Sequence, residues 1–282
     1  MIASLKQILV KAQRGKYAVP AFNINDLEIL EAVARAAERL KSPLIVQTSE
    51  GAIEYAGMEY LVAAVEVAAK SKLPVVLHFD HGKNLSLLHK AINSGYSSVM
   101  FDGSLLPYEE NVRMTREVVL GAKKISSLIS VEGELGFVPG ESKSDHTNIS
   151  VESSMYTNPE QVADFIEKTG VDRLAVFVGN VHGLHKDEPK IDIQRIKDVR
   201  MFVPPEISLV LHAGSGIPDE DIKSAISGGI ANIHINTDIR VAFTNALRTA
   251  IAENPDETTP YKLVKGAMDA VQATVENKVS LF

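Results

Sequence analysis

The chain contains no cysteine among its 282 residues. This absence excludes a disulfide framework and any thiolate metal site, so histidine, aspartate and glutamate are the candidate metal ligands. No apolar run approaches the roughly 18 residues that a membrane-spanning helix needs, and the first residues lack a basic flank followed by an apolar segment. From these absences we expect a cytoplasmic protein without a signal peptide or a membrane partner.

Positive charge is also scarce, since 29 lysines and arginines stand against 36 aspartates and glutamates. The resulting net charge of −7 argues against a nucleic-acid partner or an anionic membrane surface. The hydrophobic share of 45% is, by contrast, ample for a large core. A chain of this length fits either two ordinary domains or one (β/α)8 barrel of roughly 250 residues.

Short apolar runs alternate with amphipathic stretches from one end of the chain to the other. The segment Leu27–Leu40, for example, carries apolar residues at the i, i+3, i+4 and i+7 spacing of a helix with one buried stripe. Eight βα units without a break in composition predict a single α/β domain, a (β/α)8 TIM barrel over residues 1–282, with a doubly wound open sheet as the alternative. The residues after Pro260 predict an additional C-terminal helix. The predicted strands cover residues 17–24, 43–49, 74–81, 98–102, 128–134, 173–179, 208–214 and 232–237.

The third of these strands turns polar only at its C-terminal end, where Asp80, His81 and Gly82 follow a run of valine and leucine. The carboxyl ends of barrel strands face one crevice, which is where barrel enzymes have their active sites. His182 and His212 follow two other strands, each with a glycine within two residues. A single histidine of this kind is more simply a core or loop residue, but three on three strands favour a catalytic metal centre with an open position. Asp80 adds a carboxylate that can move a proton.

A phosphate site is predicted beside this centre. Residues 214–216, Gly-Ser-Gly, follow the seventh strand, and residues 236–238 begin the helix after the eighth. Backbone N–H groups near glycines and a helix N-terminus both attract anions. A metal that polarises a ketone, a carboxylate that handles a proton and a phosphate pocket together suit the breaking or forming of a carbon–carbon bond through a stabilised enediolate.

One connection is too long for an ordinary βα loop. The segment 136–158 is polar and carries glycine, proline, serine and aspartate. Loops of this length are either functional lids or mobile surface. We interpret the segment as a long active-site loop, with a mobile surface loop as the alternative.

These residues resemble the class II, metal-dependent ketose-bisphosphate aldolases, a family that includes fructose- and tagatose-bisphosphate aldolases. The matching stretches occur in the family's order and extend over nearly the whole chain. They are residues 18–23, 77–82, 98–104, 131–136, 178–183, 209–216 and 236–240.

The resemblance implies a role for each candidate residue. Asp80 would be the acid/base at the aldehyde-derived hydroxyl. The metal ligands would be His81, His182 and His212 for a catalytic Zn2+, or for Co2+ or another divalent ion, with Asp102 and Glu134 at a second or alternate metal position. Dihydroxyacetone phosphate would be held by Asn23, Asn25, Ser49, Gly183, Ala213, Gly214, Ser215, His234, Ile235, Asn236 and Thr237. A monovalent cation (Na+ or K+) near the phosphate and a homodimer or homotetramer are also implied.

Several departures from the family pattern concern substrate binding and proton transfer. His234 stands where the family usually has an asparagine that contacts the ketose end of the substrate. Ala213 replaces a frequent glycine, which matters little if the position needs no positive φ. In the long loop, Ser142 occupies the place of a family glutamate, so the adjacent Glu141 is the candidate for proton transfer at the ketose carbon.

The last departure lies near the C-terminus, where Tyr261 replaces an arginine that usually grips the second phosphate. Lys262 or Arg240 would have to compensate. The implied activity is reversible cleavage of fructose 1,6-bisphosphate to dihydroxyacetone phosphate and glyceraldehyde 3-phosphate, a carbon–carbon lyase reaction of glycolysis. The alternatives are an aldolase for tagatose 1,6-bisphosphate or another ketose phosphate, a ketose-phosphate epimerase, and a catalytically silent sugar-phosphate binder.

Overall fold

The computed structural model describes residues 4–70, 73–140, 149–184 and 190–282. Eight parallel strands close into a barrel in chain order. They are β1 (Val19–Asn23), β2 (Leu44–Thr48), β3 (Val75–Gly82), β4 (Ser98–Phe101), β5 (Ser130–Leu135), β6 (Arg173–Val176), β7 (Ser208–Leu211) and β8 (Ile230–Ile235). The predicted (β/α)8 barrel is thereby confirmed, and pairing of β1 with β8 excludes the open sheet.

Helices connect the strands on the outside of the barrel. They are α1 (Leu5–Gly15), α2 (Leu27–Leu40), α3 (Glu50–Ala56), α4 (Met58–Ala68), α5 (Leu85–Ser94), α6 (Tyr108–Ile125), α7 (Pro159–Thr169), α8 (Ile193–Met201), α9 (Asp219–Gly228), α10 (Thr237–Glu253) and α11 (Pro260–Leu281), with a short 3-10 helix at Ser153–Met155. The predicted C-terminal helix is α11, which packs against α10 and α2. Within the described residues, no helix is long and apolar enough to cross a membrane.

The bounds of a helix were predictable where its ends carry strong signals. The side chain of Asp26 caps α2 by accepting a hydrogen bond from the backbone N–H of Ile29 at 2.7 Å. In α7, Asn158 caps the first turn, Pro159 begins it, and Gly170 ends the helix with a φ of 72°. By contrast, α1, α3 and α8 were not predicted, and α8 buries too few apolar residues to show a clear period.

The unpredicted helix α1 closes the N-terminal end of the barrel. Its buried Leu5 and Leu9 pack in one cluster with residues near the start of three strands, Val19, Ile45 and Val76. The main hydrophobic cluster lies instead between the barrel wall and the outer helices, where Val46, Leu77 and Val131 belong to it. Within the described residues, α1 thus covers the N-terminal end of the barrel, and the carboxyl ends of the strands carry the cavity described below.

A bulge in β3 places two adjacent residues at this carboxyl end of the barrel. The register with β4 pairs Phe79 with Val99 and then Gly82 with Phe101, so β3 carries one extra residue. His81 has a φ of 52° there. Strict alternation would place the side chains of Asp80 and His81 on opposite faces of the sheet. Both residues lie within β3, and the bulge allows both side chains to face the cavity described below.

Candidate active site

A cavity of about 270 Å³ lies at the carboxyl ends of the strands. Most of the residues that the sequence singled out line it, and Arg240 does so as well. The lining residues from the predicted set are Asn23, Ser49, Asp80, His81, His182, Gly183, His212, Ala213, Ser215, His234, Asn236 and Thr237.

Three histidines meet on one side of this cavity. His81, His182 and His212 each offer a ring nitrogen, and these three atoms lie within 4.8 Å of one another. Nε2 of His81 is 2.9 Å from Nδ1 of His212. Burial and neighbouring histidines lower the pKa of His182 to about 3 and that of His212 to about 4, so both rings are neutral at pH 7. Neutral imidazoles this close together fit a single divalent ion such as Zn2+.

Carboxylates surround the third histidine. Nδ1 of His81 lies 3.1 Å from Oδ2 of Asp102 and 4.0 Å from Oε2 of Glu134. Burial alone would lower the pKa of His81, but Asp80, Asp102 and Glu134 raise it to about 10. Burial and the charge of Asp102 raise the pKa of Glu134 to about 8. This corner therefore favours positive charge, and His81, Asp102 and Glu134 form a second group whose ligand atoms lie within 4.8 Å.

Asp80 is buried and held in place by amides. Its Oδ2 accepts hydrogen bonds from Nδ2 of Asn23 at 2.9 Å and Nε2 of Gln47 at 3.1 Å. Its Oδ1 lies 3.2 Å from Nδ1 of His234. Burial alone would raise the pKa of Asp80, but His81 and His234 hold it well below its usual range. The group is therefore an ionised carboxylate with a fixed orientation, beside the histidine cluster.

Three side chains around the site were not singled out from the sequence, namely Gln47 and the buried pair of Glu132 and Arg173. Oε1 of Glu132 lies 2.8 Å from Nε2 of His212, and Oε2 lies 2.8 Å from Nη2 of Arg173. Both charged side chains are fully buried. Their position in predicted strands was the signal that could have identified them, because a charged residue in an otherwise apolar barrel strand must face a polar interior or a partner.

The predicted anion site adjoins the histidines. Gly183 has a φ of 102°, Ala213 has a φ of 54°, and both line the cavity. Oγ of Ser215 accepts a hydrogen bond from the backbone N–H of Asp238 at 3.1 Å in the first turn of α10. The positive φ corrects the expectation about Ala213, because this is the left-handed region where alanine is disfavoured. Arg240, one turn into α10, brings a positive charge to the cavity wall.

Some predicted residues do not line the cavity. Asn25 and Gly214 lie outside its wall, and Ile235 belongs to the main hydrophobic cluster. Gly214 packs so closely on β8 that a Cβ there would lie 2.4 Å from the Ile233 side chain. Tyr261 is 73% exposed.

Of the two basic residues considered for the second phosphate, only Arg240 lines the cavity. Lys262 forms an ion pair with Glu257 at 2.8 Å. The proposed proton-transfer residue Glu141 and its neighbour Ser142 lie outside the described residues.

The long loop begins next to a predicted metal ligand. The backbone N–H of His182 donates to the carbonyl of Pro139 at 2.9 Å, and Gly140 forms an isolated parallel bridge with His182. Further along, the N–H of Phe137 donates to the carbonyl of Met155 at 2.9 Å. The first residues of the loop are therefore hydrogen-bonded to His182 at the cavity and to Met155, in the 3-10 helix near the end of the same loop.

The chain is similar in sequence to known proteins over almost its whole length. Residues 3–282 match the family model described as fructose-bisphosphate aldolase class-II. The chain is 40% identical over 285 residues to a fructose-bisphosphate aldolase of Geobacillus stearothermophilus, covering 100% of the chain and 96% of that protein. It is 39% identical over 279 residues to the D-tagatose-1,6-bisphosphate aldolase subunit GatY of Klebsiella oxytoca, covering 99% and 96%.

The solved structures that match the fold of this chain are also named as aldolases. The crystal structure of the YdjI aldolase from Escherichia coli K12 matches with a TM-score of 0.84 and 35% identity, covering 100% of this chain and 97% of that one. The fructose-bisphosphate aldolase of Campylobacter jejuni matches with a TM-score of 0.84 and 25% identity, covering 99% and 95%.

Proposed function

Since the chain belongs to the class II fructose-bisphosphate aldolase family, we propose that it reversibly cleaves fructose 1,6-bisphosphate into dihydroxyacetone phosphate and glyceraldehyde 3-phosphate. The observation that carries this proposal is the meeting of His81, His182 and His212 beside the ionised Asp80 in one cavity. A sugar-phosphate binder would need the anion site but not a metal cluster next to a fixed carboxylate.

His81, His182 and His212 would hold the metal, which we propose to be Zn2+, with Co2+ or another divalent ion as a substitute. When bound, the ion would act as a Lewis acid that polarises the ketose carbonyl. Asp102 and Glu134 would form a second or alternate position that shares His81. The depressed pKa values of His182 and His212 support metal binding, because neutral rings keep a lone pair for the ion.

Asp80 would be the acid/base. In cleavage it would take the proton of the C4 hydroxyl while the C3–C4 bond breaks and its electron pair moves toward the ketose carbonyl; in condensation it would return that proton to the aldehyde oxygen. Its ionised state suits the first role, and the amides of Asn23 and Gln47 would keep it aimed. Proton transfer at the ketose carbon is proposed for Glu141.

The phosphate of the ketose half would bind at Gly183, the turn of Ala213 and Ser215, and the start of α10 at Thr237. Gly214 would contribute its backbone only. His234 and Asn236 would contact the ketose end, and Arg240 would supply a positive charge for a phosphate. Asn23 and Ser49 also line the cavity and would bind the sugar hydroxyls. A Na+ or K+ ion would accompany the phosphate. We propose no role for Asn25 or Ile235 in direct contact with substrate.

Tagatose 1,6-bisphosphate is the second candidate substrate, because a tagatose-bisphosphate aldolase subunit is as similar to the chain as a fructose-bisphosphate aldolase is. We further propose that residues 1–282 form one catalytic domain, that the protein assembles as a homodimer or homotetramer, and that it acts in the cytoplasm. Size-exclusion chromatography with light scattering tests the assembly.

Coupled assays with the two bisphosphates, with and without a chelator, test the function. We expect cleavage of at least one of them, preferring the fructose isomer, and loss of cleavage after chelation that added Zn2+ restores. Unchanged cleavage in the presence of chelator would contradict the metal mechanism. Binding of both sugars without any cleavage would favour the silent binder.

A further inference from the structure

A buried ion pair lies beneath the histidine cluster, inside the barrel. Glu132 of β5 and Arg173 of β6 are both 0% exposed, and their charged groups are 2.8 Å apart. Removing two charges from water is costly, and a well-packed apolar pair would hold the barrel at least as well. The presence of this pair therefore has to be explained by the groups that it contacts.

Arg173 is fixed by its other neighbours. Its Nη1 donates to Oδ1 of Asn232 at 2.7 Å, and its Nη2 donates to Oγ of Ser98 at 2.9 Å. The guanidinium thus spans from β6 to β8 and β4 inside the barrel, where a planar fork is held more rigidly than a flexible ammonium. It presents a fixed positive charge to Glu132.

Glu132 in turn contacts the ring of His212. Its Oε2 is paired with the guanidinium of Arg173 at 2.8 Å, which favours the carboxylate form of Glu132. An ionised carboxylate only accepts hydrogen bonds, so Nε2 of His212, 2.8 Å from Oε1, must carry the proton. The lone pair of His212 is then on Nδ1, which points toward Nε2 of His81 at 2.9 Å.

We propose that Glu132, oriented by Arg173, is a positioning residue that fixes His212 in the Nε2–H tautomer and thereby presents Nδ1 to the metal. This inference rests on the proposed function, in which His212 is a metal ligand. Carboxylates that accept from the far nitrogen of a ligating histidine orient the ring and make it a better ligand.

The substitution Glu132→Gln tests the proposal. The new amide can either accept from Nε2 or donate to it, so both tautomers of His212 become populated. We expect the Zn2+ affinity of the full chain, measured by competition with a chromophoric chelator, to fall by roughly 10- to 100-fold. Long-range 1H–15N NMR of the metal-free protein should show a mixture of His212 tautomers in place of one.

Asp172→Asn is the matched control. Asp172 is also a buried carboxylate with a cationic partner, Lys123 at 2.6 Å, but it lies at the opposite end of the barrel. This variant should bind Zn2+ with unchanged affinity even if it melts at a lower temperature. If Glu132→Gln does not fold, Arg173→Lys provides a second route, because it keeps the charge but cannot reach Asn232 and Ser98 together; a smaller loss of Zn2+ affinity is expected.

Two results distinguish failure of the positioning role of Glu132 from failure of the proposed metal centre. If Glu132→Gln binds Zn2+ as tightly as the unmodified chain and keeps Nε2–H on His212, while His212→Ala loses the metal, the positioning role is overturned and the proposed function stands. If His212→Ala itself binds Zn2+ normally, the proposed metal centre is overturned together with the inference.

Discussion

The two ends of the barrel differ in how a buried acidic side chain is satisfied. At the N-terminal end, the carboxylate of Asp172 accepts hydrogen bonds from Nζ of Lys123 at 2.6 Å and from the backbone N–H of Val131 at 3.0 Å. At the carboxyl end, Oε2 of Glu134 and Nε2 of His234 are buried without a hydrogen-bond partner among the described residues. The carboxylate of Asp172 is thus satisfied within the chain, whereas the open end keeps polar atoms of Glu134 and His234 available for a ligand.

The sharpest test of this contrast is Asp80→Asn at the open end. The variant keeps the size of the side chain but cannot accept a proton, so kcat should fall by roughly 10²- to 10⁴-fold. Its Zn2+ content, measured by atomic absorption, should not change, because the proposed ligands are histidines. Cleavage at more than a tenth of the original rate would contradict the proposed role of Asp80.

Proton release on metal binding is the next largest effect expected at the open end. In the metal-free protein the pKa of His81 is raised to about 10, so its ring is protonated at pH 7 and an ion must displace that proton. Zn2+ affinity should therefore increase with pH below about 10, by about tenfold for each pH unit for one displaced proton. Competition titrations at several pH values measure this slope, and an affinity independent of pH would contradict it.

A substitution at the closed, N-terminal end of the barrel should change the stability of the protein and not its catalytic rate. Asp172→Asn weakens the acceptor for Lys123 and for the backbone N–H of Val131, which should lower the free energy of unfolding by about 1–3 kcal/mol. Urea denaturation measures the loss, and kcat of the folded variant should remain nearly unchanged, because Asp172 does not line the cavity. A large fall in kcat would show that the two ends are not independent.

The smallest effect concerns backbone strain at the cavity wall. Ala213 has a φ of 54°, a conformation that costs an L-residue roughly 1–2 kcal/mol. Because glycine also gains freedom in the unfolded chain, Ala213→Gly should stabilise the protein by only about 0.5–1 kcal/mol. Ala246→Gly, in the middle of α10, is the control and should destabilise by about 1 kcal/mol. Equal losses in the two variants would contradict the strain at Ala213.

The barrel and the histidine cluster could be predicted because each depends on local sequence. A strand that ends in His81, or is followed by His182 or His212, is visible in a short window. Barrel topology then sends all carboxyl ends to one face. The three ligand atoms accordingly lie within 4.8 Å.

The layer beneath the histidines could not be predicted in the same way. Glu132 and Gln47 lie inside strands and Arg173 begins β6, and a polar residue in a strand does not reveal its partner until neighbouring strands are in register. The bulge at His81 likewise depends on the register between β3 and β4, which α5 separates in sequence. The left-handed backbone of Ala213 follows from the packed turn after β7, not from the alanine itself, which disfavours it.

X-ray absorption at the zinc edge of the Zn2+-loaded protein tests the central claim most directly, since it reports the atoms bound to the ion. The account predicts a shell with three imidazole nitrogens at about 2.0–2.1 Å, reduced by one in His212→Ala. A shell made only of oxygen atoms, or a spectrum that His212→Ala leaves unchanged, would contradict it.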